Sequence, residues 1–238
     1  MPPPVALITG ASRGIGRECA IALAKLNYRL TLVSRTRVEL EQTAELAGAA
    51  DALLLPADIS DAAQCQTVIE QTVKHFGRLD ALINIAGVAP AVSIEAISLE
   101  QWRQVIDTNL SAVFYLTKYA WPHLKAAAVI HAPAVIVNIS SMAARDPFNG
   151  FAAYGAAKSA LHIFGLVAAR EGAADQICVH TIAPGAVETA MLRQLLTTEQ
   201  LPTEKTMSAE EVAAVIVQCV IGQLRHTSGE VIYLHKTT

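Results

Sequence analysis

Apolar runs alternate with amphipathic stretches along nearly the whole chain. Seven short runs rich in Val, Ile and Leu predict β-strands at residues 5–9, 29–34, 52–55, 81–85, 134–140, 177–182 and 230–235. Their apolar character is continuous rather than alternating, which is typical of strands that are covered on both faces of a sheet. Helical patterns fill the stretches between them. The sequence therefore predicts an α/β fold with a parallel sheet and right-handed crossovers.

Start signals mark several of the predicted helices. Ser98 is followed by Gln101 and Ser208 by Glu211, and both spacings are typical of capping boxes. No repeat or linker interrupts the chain, so we expect a single domain spanning residues 1–238. Residues 190–207 break the alternation, with Pro202 in their middle. This segment is interpreted either as a lid over a cleft or as a plain surface connection.

Composition narrows the class of protein. Of the 238 residues, 53% are apolar and 16% are charged, the net charge is −3, and no basic or acidic block occurs. This balance argues against a nucleic-acid or anionic-membrane partner. The N-terminal residues lack a basic region followed by a long apolar stretch, and no apolar run of 18 residues is uninterrupted. We expect a soluble cytoplasmic protein without a membrane partner.

The cysteines and histidines do not form a metal-ligand pattern. Cys19, Cys65, Cys178 and Cys219 are widely scattered, which favours buried free thiols over disulfides or zinc ligands. No metal site is expected. His162 follows Tyr154 by eight residues, so on a helix it would either approach the same cleft as Tyr154 or pack elsewhere.

A glycine-rich turn follows the first predicted strand. It reads Gly10, Ala11, Ser12, Arg13, Gly14, Ile15, Gly16 and leads into a predicted helix. Gly10 permits a tight turn, Gly14 lets the backbone approach a pyrophosphate, and Gly16 lets the helix pack closely on the sheet. The amides at the helix start favour phosphate oxygens. The segment therefore predicts a dinucleotide-binding turn.

The end of the second strand bears on which dinucleotide binds. A site for NAD places an acid there to bind the ribose 2′-hydroxyl, whereas this strand ends in Ser34 and Arg35. Arg13 adds a second guanidinium from the glycine-rich turn. Two guanidiniums suit a 2′-phosphate, so these residues favour NADP(H) as the cofactor.

Tyr154 and Lys158 carry the candidate chemistry. Residues four apart lie on one face of a helix, so both side chains can point into one cleft. A tyrosine ordinarily loses its proton near pH 10, and a neighbouring ammonium favours the phenolate. We therefore expect Lys158 to lower the pKa of Tyr154 toward a range useful for acid–base catalysis.

With these motifs assembled, the chain resembles the short-chain dehydrogenase/reductase family over nearly its whole length. The matching segments are the turn at residues 9–16, Asp58-Ile59, Asn84-Ile85-Ala86-Gly87, Asn109, Ser141, the Tyr154/Lys158 pair, and Pro184-Gly185 with Val187 and Thr189. The resemblance implies a doubly wound Rossmann domain with a seven-stranded parallel sheet and helices on both faces. It also implies an NADP(H)-dependent oxidoreductase that interconverts a ketone or aldehyde and an alcohol.

The resemblance assigns roles to individual residues. Ser141 would bind the carbonyl oxygen, Tyr154 would give it a proton, Lys158 would bind the nicotinamide ribose, and Asn109 would hold a water joining Lys158 to solvent. The implied cofactor contacts are Gly10, Ser12, Arg13, Gly14, Ile15, Gly16, Ser34, Arg35, Asp58, Ile59, Asn84, Ala86, Gly87, Tyr154, Lys158, Pro184, Gly185, Val187 and Thr189. Ser140 is expected to be only a strand-end cap.

Three departures from the family pattern and several alternatives remain. Ile85 replaces an asparagine, His180 stands where an asparagine is common, and the tail GEVIYLHKTT lacks the usual Asp-Gly-Gly. A 3-oxoacyl-acyl-carrier-protein reductase is one alternative function, and a nonenzymatic NADP-binding sensor or scaffold is another.

The resemblance also bears on assembly and on the substrate. Members of the family commonly associate through the helices that bear Asn109 and Tyr154, which implies a homodimer or homotetramer. The expected substrate wall is apolar and comprises Met142, Ala143, Phe148, Met191 and Leu192.

Overall fold

A seven-stranded parallel sheet forms the centre of the molecule. The computed structural model describes residues 2–128 and 133–236. The strands are β1 Val5–Thr9, β2 Arg29–Ser34, β3 Leu53–Pro56, β4 Ala81–Asn84, β5 Ala134–Ile139, β6 Ile177–Pro184 and β7 Val231–Leu234. Their order is β3-β2-β1-β4-β5-β6-β7, and every neighbouring pair is parallel. The predicted doubly wound parallel sheet is therefore confirmed.

Helices cover both faces of this sheet. They are α1 Gly14–Lys25, α2 Arg37–Leu46, α3 Ala62–Phe76, α4 Leu99–Ile106, α5 Ala112–Ala128, α6 Ala152–Gly172, α7 Ala190–Leu195 and α8 Ala209–Val220. A π-helical turn, Asp107–Ser111, joins α4 to α5. Both predicted capping boxes are present, at Ser98 before α4 and at Ser208 before α8.

Each buried strand divides its side chains between two cores. Ala6 and Ile8 of β1 pack toward α1 and α8, whereas Val5 and Leu7 pack toward α3 and α5. Consecutive strand residues point to opposite faces, so a strand needs apolar residues at every position when both faces are covered. This requirement explains the continuous apolar runs in the sequence.

Five of the seven strands end one or two residues away from the predicted positions, namely β3, β4, β5, β6 and β7. Contacts in the structure explain the ends of β4 and β6. β4 ends at Asn84 because the next two amides, those of Ile85 and Ala86, donate to the Thr9 hydroxyl at 3.1 and 3.3 Å. β6 continues to Pro184 because its last two residues pair with β7. After β4, hydrogen bonds to the Thr9 side chain thus replace backbone pairing at the carboxyl edge of the sheet.

The three departures from the family pattern fit the fold in different ways. Ile85 packs against the core that includes Ala6 and Ile8. His180 is fully buried in β6, where its Nδ1 lies 3.2 Å from the Thr227 hydroxyl and its Nε2 has no hydrogen-bond partner among the described residues. The tail forms β7, and its final residues, Thr237 and Thr238, lie outside the described residues.

The helix that carries Tyr154 is unusually apolar. With the 3₁₀ turn after it, the segment Ala152–Asp175 has the length and mean hydropathy of a membrane-crossing helix, the one such segment among the described residues. Its buried positions include Ala153, Ala157 and Leu161, and its last part packs in the core on the α3 and α5 face. Packing against the sheet accounts for the apolar residues on the buried side of α6.

Candidate active site

A cavity of about 1080 Å³ opens at the carboxyl ends of the strands. It lies where the strand order reverses between β1 and β4, the position at which doubly wound sheets bind ligands. All of the predicted catalytic residues line it, and so do all of the predicted cofactor residues except Gly16 and Asn84. Gly16 packs against the Gly10 carbonyl group, and Asn84 forms a hydrogen bond with Asn138 within the sheet.

The glycine-rich turn has the backbone that its sequence predicts. Gly10 and Gly14 have φ values of +66° and +52°, which favour glycine. A Cβ on Gly10 would lie 2.9 Å from the Ala86 backbone, and one on Gly16 would lie 2.2 Å from the Gly10 carbonyl oxygen. Gly16 therefore keeps α1 pressed against the turn without itself facing the cavity.

The start of α1 offers free backbone donors. Arg13 occupies the N-cap position, and no side chain caps the first turn. The first amides of a helix lack partners within the helix, and they carry a partial positive charge. This end of the cavity therefore fits a phosphate group.

Two guanidiniums line the cavity near the end of β2. Arg13 and Arg35 are exposed, and neither forms an ion pair with the residues that the structure describes. Asp58 lies opposite, where hydrogen bonds from Ser60 chiefly hold the pKa of its carboxyl below the ordinary value and Arg35 lowers it further. Glu39 also lines this end. Glu39 was not predicted from the sequence, because it lies five residues after the end of β2, within α2, rather than at the strand end.

Asn84 acts within the sheet rather than in the cavity. Its amide nitrogen donates to Oδ1 of Asn138 at 2.9 Å, across the β4–β5 pair. The predicted direct cofactor contact from Asn84 is therefore not seen in the wall of the cavity. The neighbouring Ala86 and Gly87 do line it, because the chain turns at Thr9 after Asn84.

Tyr154 and Lys158 lie on one face of α6, as their spacing predicts. Lys158 is 4% exposed, and its ammonium donates to the Ile139 carbonyl oxygen at 2.7 Å. That nitrogen is 5.7 Å from the centre of the Tyr154 ring. The rings of Phe151 and Tyr154 meet edge to face, with their centres 5.4 Å apart. Both catalytic candidates are thus held in an apolar setting next to the end of β5.

The electrostatic prediction for this pair is wrong for the protein by itself. Burial raises the pKa of Tyr154, and a hydrogen bond with Ser141 opposes that rise only partly. Burial also lowers the pKa of Lys158 to about 8. Desolvation disfavours the charged form of each group, and Lys158 directs its ammonium to the Ile139 carbonyl instead of the phenol. The phenol therefore keeps its proton at neutral pH.

Ser141 occupies the turn that follows β5. Its hydroxyl oxygen accepts a hydrogen bond from the Ala143 amide at 3.1 Å, which caps the short 3₁₀ turn Met142–Ala144. The Ser141 hydroxyl is also close enough to Tyr154 to lower the pKa of the phenol. The two hydroxyls can therefore meet at one oxygen atom of a ligand.

Asn109 is buried at the π-helical turn and is tied to its neighbours. Its amide nitrogen donates to the carbonyl oxygens of Val88 and Val105, both at 2.9 Å, and its Oδ1 accepts from the Val88 amide. A Cβ on Gly87 would lie 2.6 Å from that Oδ1 and 3.5 Å from the Lys158 ammonium. Gly87 therefore leaves the space between Asn109 and Lys158 open.

Ser140 does more than the predicted strand-end cap. Its hydroxyl donates to the Lys158 carbonyl oxygen at 2.9 Å and lies 2.8 Å from Nε2 of His162. His162 does not line the cavity. Of the two interpretations left open for His162, packing outside the cleft is the one observed.

The far end of the cavity is mostly apolar. The predicted wall residues Met142, Ala143, Phe148, Met191 and Leu192 all line it, together with the unpredicted Gln104, Thr108, Asp146 and Asn149. No motif marked these polar residues, because they come from α4, the π-helical turn and the loop before α6. The wall thus joins a fairly apolar surface to a few exposed polar groups.

Residues 190–207 are structured and close one side of the cavity. They contain α7 and a 3₁₀ turn at Thr203–Lys205. The Arg193 guanidinium pairs with both Glu188 oxygens, the closer at 2.5 Å, and donates to the Leu201 carbonyl oxygen at 2.8 Å. This pairing lowers the pKa of Glu188. The segment is therefore clamped onto the loop after β6.

The molecule resembles known proteins along most of its length. A family model described as short chain dehydrogenase matches residues 4–200. The 11-beta-hydroxysteroid dehydrogenase-like 2 protein of Arabidopsis thaliana is 36% identical over 191 residues, which make up 79% of this chain and 60% of that protein. The 3-oxoacyl-(acyl-carrier-protein) reductase FabG of Escherichia coli (strain K12) is 31% identical over 97% of this chain and 95% of the relative.

A solved structure gives the same picture. The crystal structure of 3-ketoacyl-(acyl-carrier-protein) reductase from Brucella melitensis, complexed with NADH, superimposes with a TM-score of 0.91. It is 26% identical and covers 98% of this chain and 96% of its own. The chain thus spans 60% of the plant relative but nearly all of both bacterial reductases.

Proposed function

The chain belongs to the short-chain dehydrogenase family, and we propose that it interconverts a ketone or aldehyde and an alcohol with NADP(H). Membership makes it an oxidoreductase of a family that uses nicotinamide cofactors. The observation that carries the proposal is the convergence of Ser141, Tyr154 and Lys158 on a cavity whose other end is an uncapped, glycine-rich helix start. One end suits phosphates, and the other suits a carbonyl group.

Two hydroxyls bind the reacting oxygen in this proposal. NADPH, when bound, supplies the hydride for the carbonyl carbon. The Ser141 and Tyr154 hydroxyls donate hydrogen bonds to the carbonyl oxygen, where negative charge develops. Tyr154 then transfers its proton to that oxygen, and its raised pKa ensures that the proton is present at neutral pH.

Lys158 and Asn109 support the proton transfer. Lys158 binds the nicotinamide ribose, and its ammonium stabilises the phenolate that Tyr154 leaves behind. Asn109 holds a water in the space kept open by Gly87, next to the Lys158 ammonium. This water would return a proton from solvent through Lys158 to Tyr154 after each turnover.

The choice of NADP(H) over NAD(H) rests on Arg13 and Arg35. Both lie on the cavity wall, neither forms an ion pair with another described residue, and a 2′-phosphate would supply an anionic partner. Glu39 nearby favours the opposite choice, and the Brucella relative was crystallised with NADH. We retain NADP(H) because Arg13 and Arg35 both lie at this end of the cavity, and the strand-end position that binds the ribose hydroxyls in NAD sites holds no acid.

A 3-oxoacyl-acyl-carrier-protein reductase is the second candidate, and the names of two relatives favour it. The charge around the substrate end opposes it, because an acidic carrier needs basic residues at the mouth. Asp146 lines that end, Glu188 there is already paired with Arg193, and neither Arg145 nor Arg170 lines it. The Arg145 guanidinium instead lies 5.7 Å from the centre of the Tyr233 ring. An uncharged carbonyl compound is therefore the substrate that we propose.

The test is NADPH oxidation with a panel of neutral ketones and aldehydes, run beside 3-oxoacyl thioesters on an acyl carrier protein. We expect turnover of at least one neutral carbonyl compound and weaker turnover of the carrier-bound substrate. Preference for the carrier-bound substrate would establish the second candidate instead. Tight NADPH binding without turnover of any carbonyl compound would support the nonenzymatic sensor or scaffold and contradict the proposed activity.

Residues 190–207 serve as a substrate lid in this proposal. Their apolar side chains face the cavity, and Arg193 fixes them to Glu188. A lid that closes over the carbonyl would exclude water and strengthen the hydrogen bonds from Ser141 and Tyr154.

We also propose that the protein forms a homodimer or homotetramer through α5 and α6. Phe114, Ile163 and Val167 are exposed on these helices, at 48%, 66% and 44% of their surfaces. Phe114 packs edge-on against Phe164, so the two helices present one continuous apolar surface. A second copy of the chain would bury it.

A further inference from the structure

Two consecutive residues at the end of β5 bind opposite ends of Lys158. The Ile139 carbonyl oxygen accepts from its ammonium at 2.7 Å, and the Ser140 hydroxyl donates to its backbone carbonyl oxygen at 2.9 Å. Ser141 follows immediately. The strand that carries the catalytic serine is therefore joined to the helix that carries Tyr154 and Lys158 through the Ser140 side chain.

His162 completes this connection from behind the cavity. A hydroxyl has one proton, and Ser140 gives that proton to the Lys158 carbonyl oxygen, which can only accept. The contact of 2.8 Å between Ser140 and Nε2 of His162 must then be a donation from the imidazole. Nε2 therefore carries a proton in both the neutral and the charged form of His162.

The C-terminal strand holds the imidazole from the outside. The rings of Tyr233 in β7 and His162 meet edge to face, with centres 6.0 Å apart, and the Arg145 guanidinium lies 5.7 Å from the centre of the Tyr233 ring. Burial lowers the pKa of His162, which keeps the ring neutral at pH 7. The atypical tail thus provides the surface that fixes the orientation of this histidine.

We propose that His162 is a positioning residue. It acts through Ser140 to hold the Ser141 hydroxyl and the Lys158 ammonium at the relative positions that catalysis requires. This inference rests on the proposed function of the site. His162 does not line the cavity, so it can affect the reaction only through the geometry of these residues. Small displacements of reacting groups are costly, so removing the imidazole donor should slow the chemical step rather than weaken binding.

The first experiment compares His162→Leu with His162→Gln. Glutamine places an amide N–H close to the position of Nε2, whereas leucine has no donor. We expect leucine to lower kcat by roughly 10- to 100-fold while the KM for the ketone and the Kd for NADPH stay within about threefold. Glutamine should restore most of kcat. An unchanged kcat in folded His162→Leu would overturn the proposal, and so would a glutamine variant as slow as the leucine variant.

His180→Leu is the matched control, because His180 is buried in β6, contacts Thr227 and lies outside the cavity. We expect it to change Tm but not kcat. Ser140→Ala should lower kcat as His162→Leu does, and the double variant should be no slower than either single one, because both remove the same connection. Additive losses would overturn the proposal, and Ser140→Ala keeps the test decisive if His162→Leu does not fold.

The second experiment does not depend on activity. Nitrogen NMR of the histidine side chains distinguishes a protonated from an unprotonated ring nitrogen. We expect the proton of His162 on Nε2, with exchange slower in the wild type than in Ser140→Ala. A proton on Nδ1 instead would contradict the connection. If Nε2 is protonated but no carbonyl compound is turned over, the connection stands and the proposed function fails.

Discussion

Lys158 carries a buried charge in the active site, and burying that charge costs stability. Its ammonium is buried with one backbone acceptor, so the fold tolerates the charge only at a cost. The lowered pKa, about 8 in place of the ordinary 10.5, corresponds to a destabilisation on the order of 3 kcal/mol for the protonated form. Such a cost is reasonable where the charge is needed to stabilise a phenolate.

This cost predicts how stability depends on pH. Between pH 8 and 10.5 the unfolded chain holds a proton on Lys158 that the folded protein has released. The unfolded state then binds more protons, so raising the pH through this window stabilises the folded protein. Below pH 8 the cost is fully present.

The measurement is the free energy of unfolding of wild type and Lys158→Met between pH 7 and about pH 10. We expect the methionine variant to be the more stable at pH 7 and its advantage to shrink as the pH rises. The other groups titrate equally in both proteins and cancel in the difference. A difference that does not vary with pH would contradict the lowered pKa.

Arg35 is the residue on which the cofactor preference depends. Replacement by aspartate removes a guanidinium from the cavity wall and adds an acid that can bind ribose hydroxyls. We expect Arg35→Asp to weaken NADPH binding by roughly 10- to 100-fold, in line with the loss of a charged hydrogen bond, and to improve NADH binding. Isothermal titration with each cofactor measures both changes.

Arg37 supplies the matched control for that substitution. It lies two residues further on, at the start of α2, and it does not line the cavity. Arg37→Asp should leave the ratio of NADPH to NADH affinity unchanged. Equal effects of the two substitutions would mean that overall charge, not a 2′-phosphate site, sets the preference.

At the scale of elements, the β1–turn–α1 unit depends on one close approach. A Cβ on Gly16 would lie 2.2 Å from the Gly10 carbonyl oxygen, a backbone atom that cannot rotate away. Gly16→Ala should therefore displace α1 from the turn and move its free amides away from the phosphates. We expect at least a tenfold loss of NADPH affinity, since charge-assisted contacts would be lengthened, and fluorescence titration of NADPH measures it.

Gly77→Ala separates this effect from general destabilisation. Gly77 ends α3 with a φ of +78°, and no atom of another described residue lies within 4 Å of the position that a Cβ would take. Alanine there should cost about 1 kcal/mol of stability and leave NADPH affinity unaltered. A Gly16→Ala variant that binds NADPH like wild type would show that the close packing of α1 is not required.

Elements that depend on local sequence were predictable. The strand runs, both capping boxes and the glycine-rich turn follow from side chains within a few residues of each other. The shared face of Tyr154 and Lys158 also follows from helix geometry alone. Most of the predicted site residues line one cavity because their motifs follow successive strands, and parallel strands all end at the same edge of the sheet.

Contacts between distant segments could not be predicted. The direction of the Lys158 ammonium depends on the Ile139 carbonyl oxygen, 19 residues away, and the partner of His162 lies 22 residues away. The sign of the Tyr154 pKa change depends on burial by the folded chain. The sequence also contains no signal that Arg193 would clamp residues 190–207, because its partners combine a side chain with backbone carbonyls.

For the whole molecule, the sheet places the two chemical ends of the cavity on opposite sides of the β1–β4 boundary. β1 and β2 supply the phosphate end, whereas β5 leads to Ser141 at the other end. The segment around Thr189, which follows β6, reaches back to the glycine-rich turn, where a Cβ on Gly14 would lie 3.2 Å from the Thr189 methyl group. Phe114 of α5 and Ile163 and Val167 of α6 are exposed apolar residues that do not line the cavity. The catalytic helix α6 thus carries both a site and a candidate subunit contact.

Val167→Lys tests the proposed subunit contact. A charge in the centre of a buried apolar contact is strongly unfavourable, so we expect this variant to dissociate while the wild type is a dimer or tetramer. Light scattering after size-exclusion chromatography measures the mass. Val38→Lys is the control, because Val38 is 61% exposed on α2. A monomeric wild type, or a Val167→Lys variant that stays assembled, would contradict this contact.

The central claim is that the Tyr154 hydroxyl gives the reacting oxygen its proton, and Tyr154→Phe removes only that hydroxyl. The decisive measurement is kcat for NADPH-dependent reduction of the best neutral ketone by this variant, beside Tyr119→Phe, which alters a tyrosine packed against the core on α5. The account predicts a loss of at least about 100-fold in kcat for Tyr154→Phe, unchanged NADPH affinity, and wild-type activity for Tyr119→Phe. A Tyr154→Phe enzyme that keeps most of its kcat would show that the Tyr154 hydroxyl is not the proton donor.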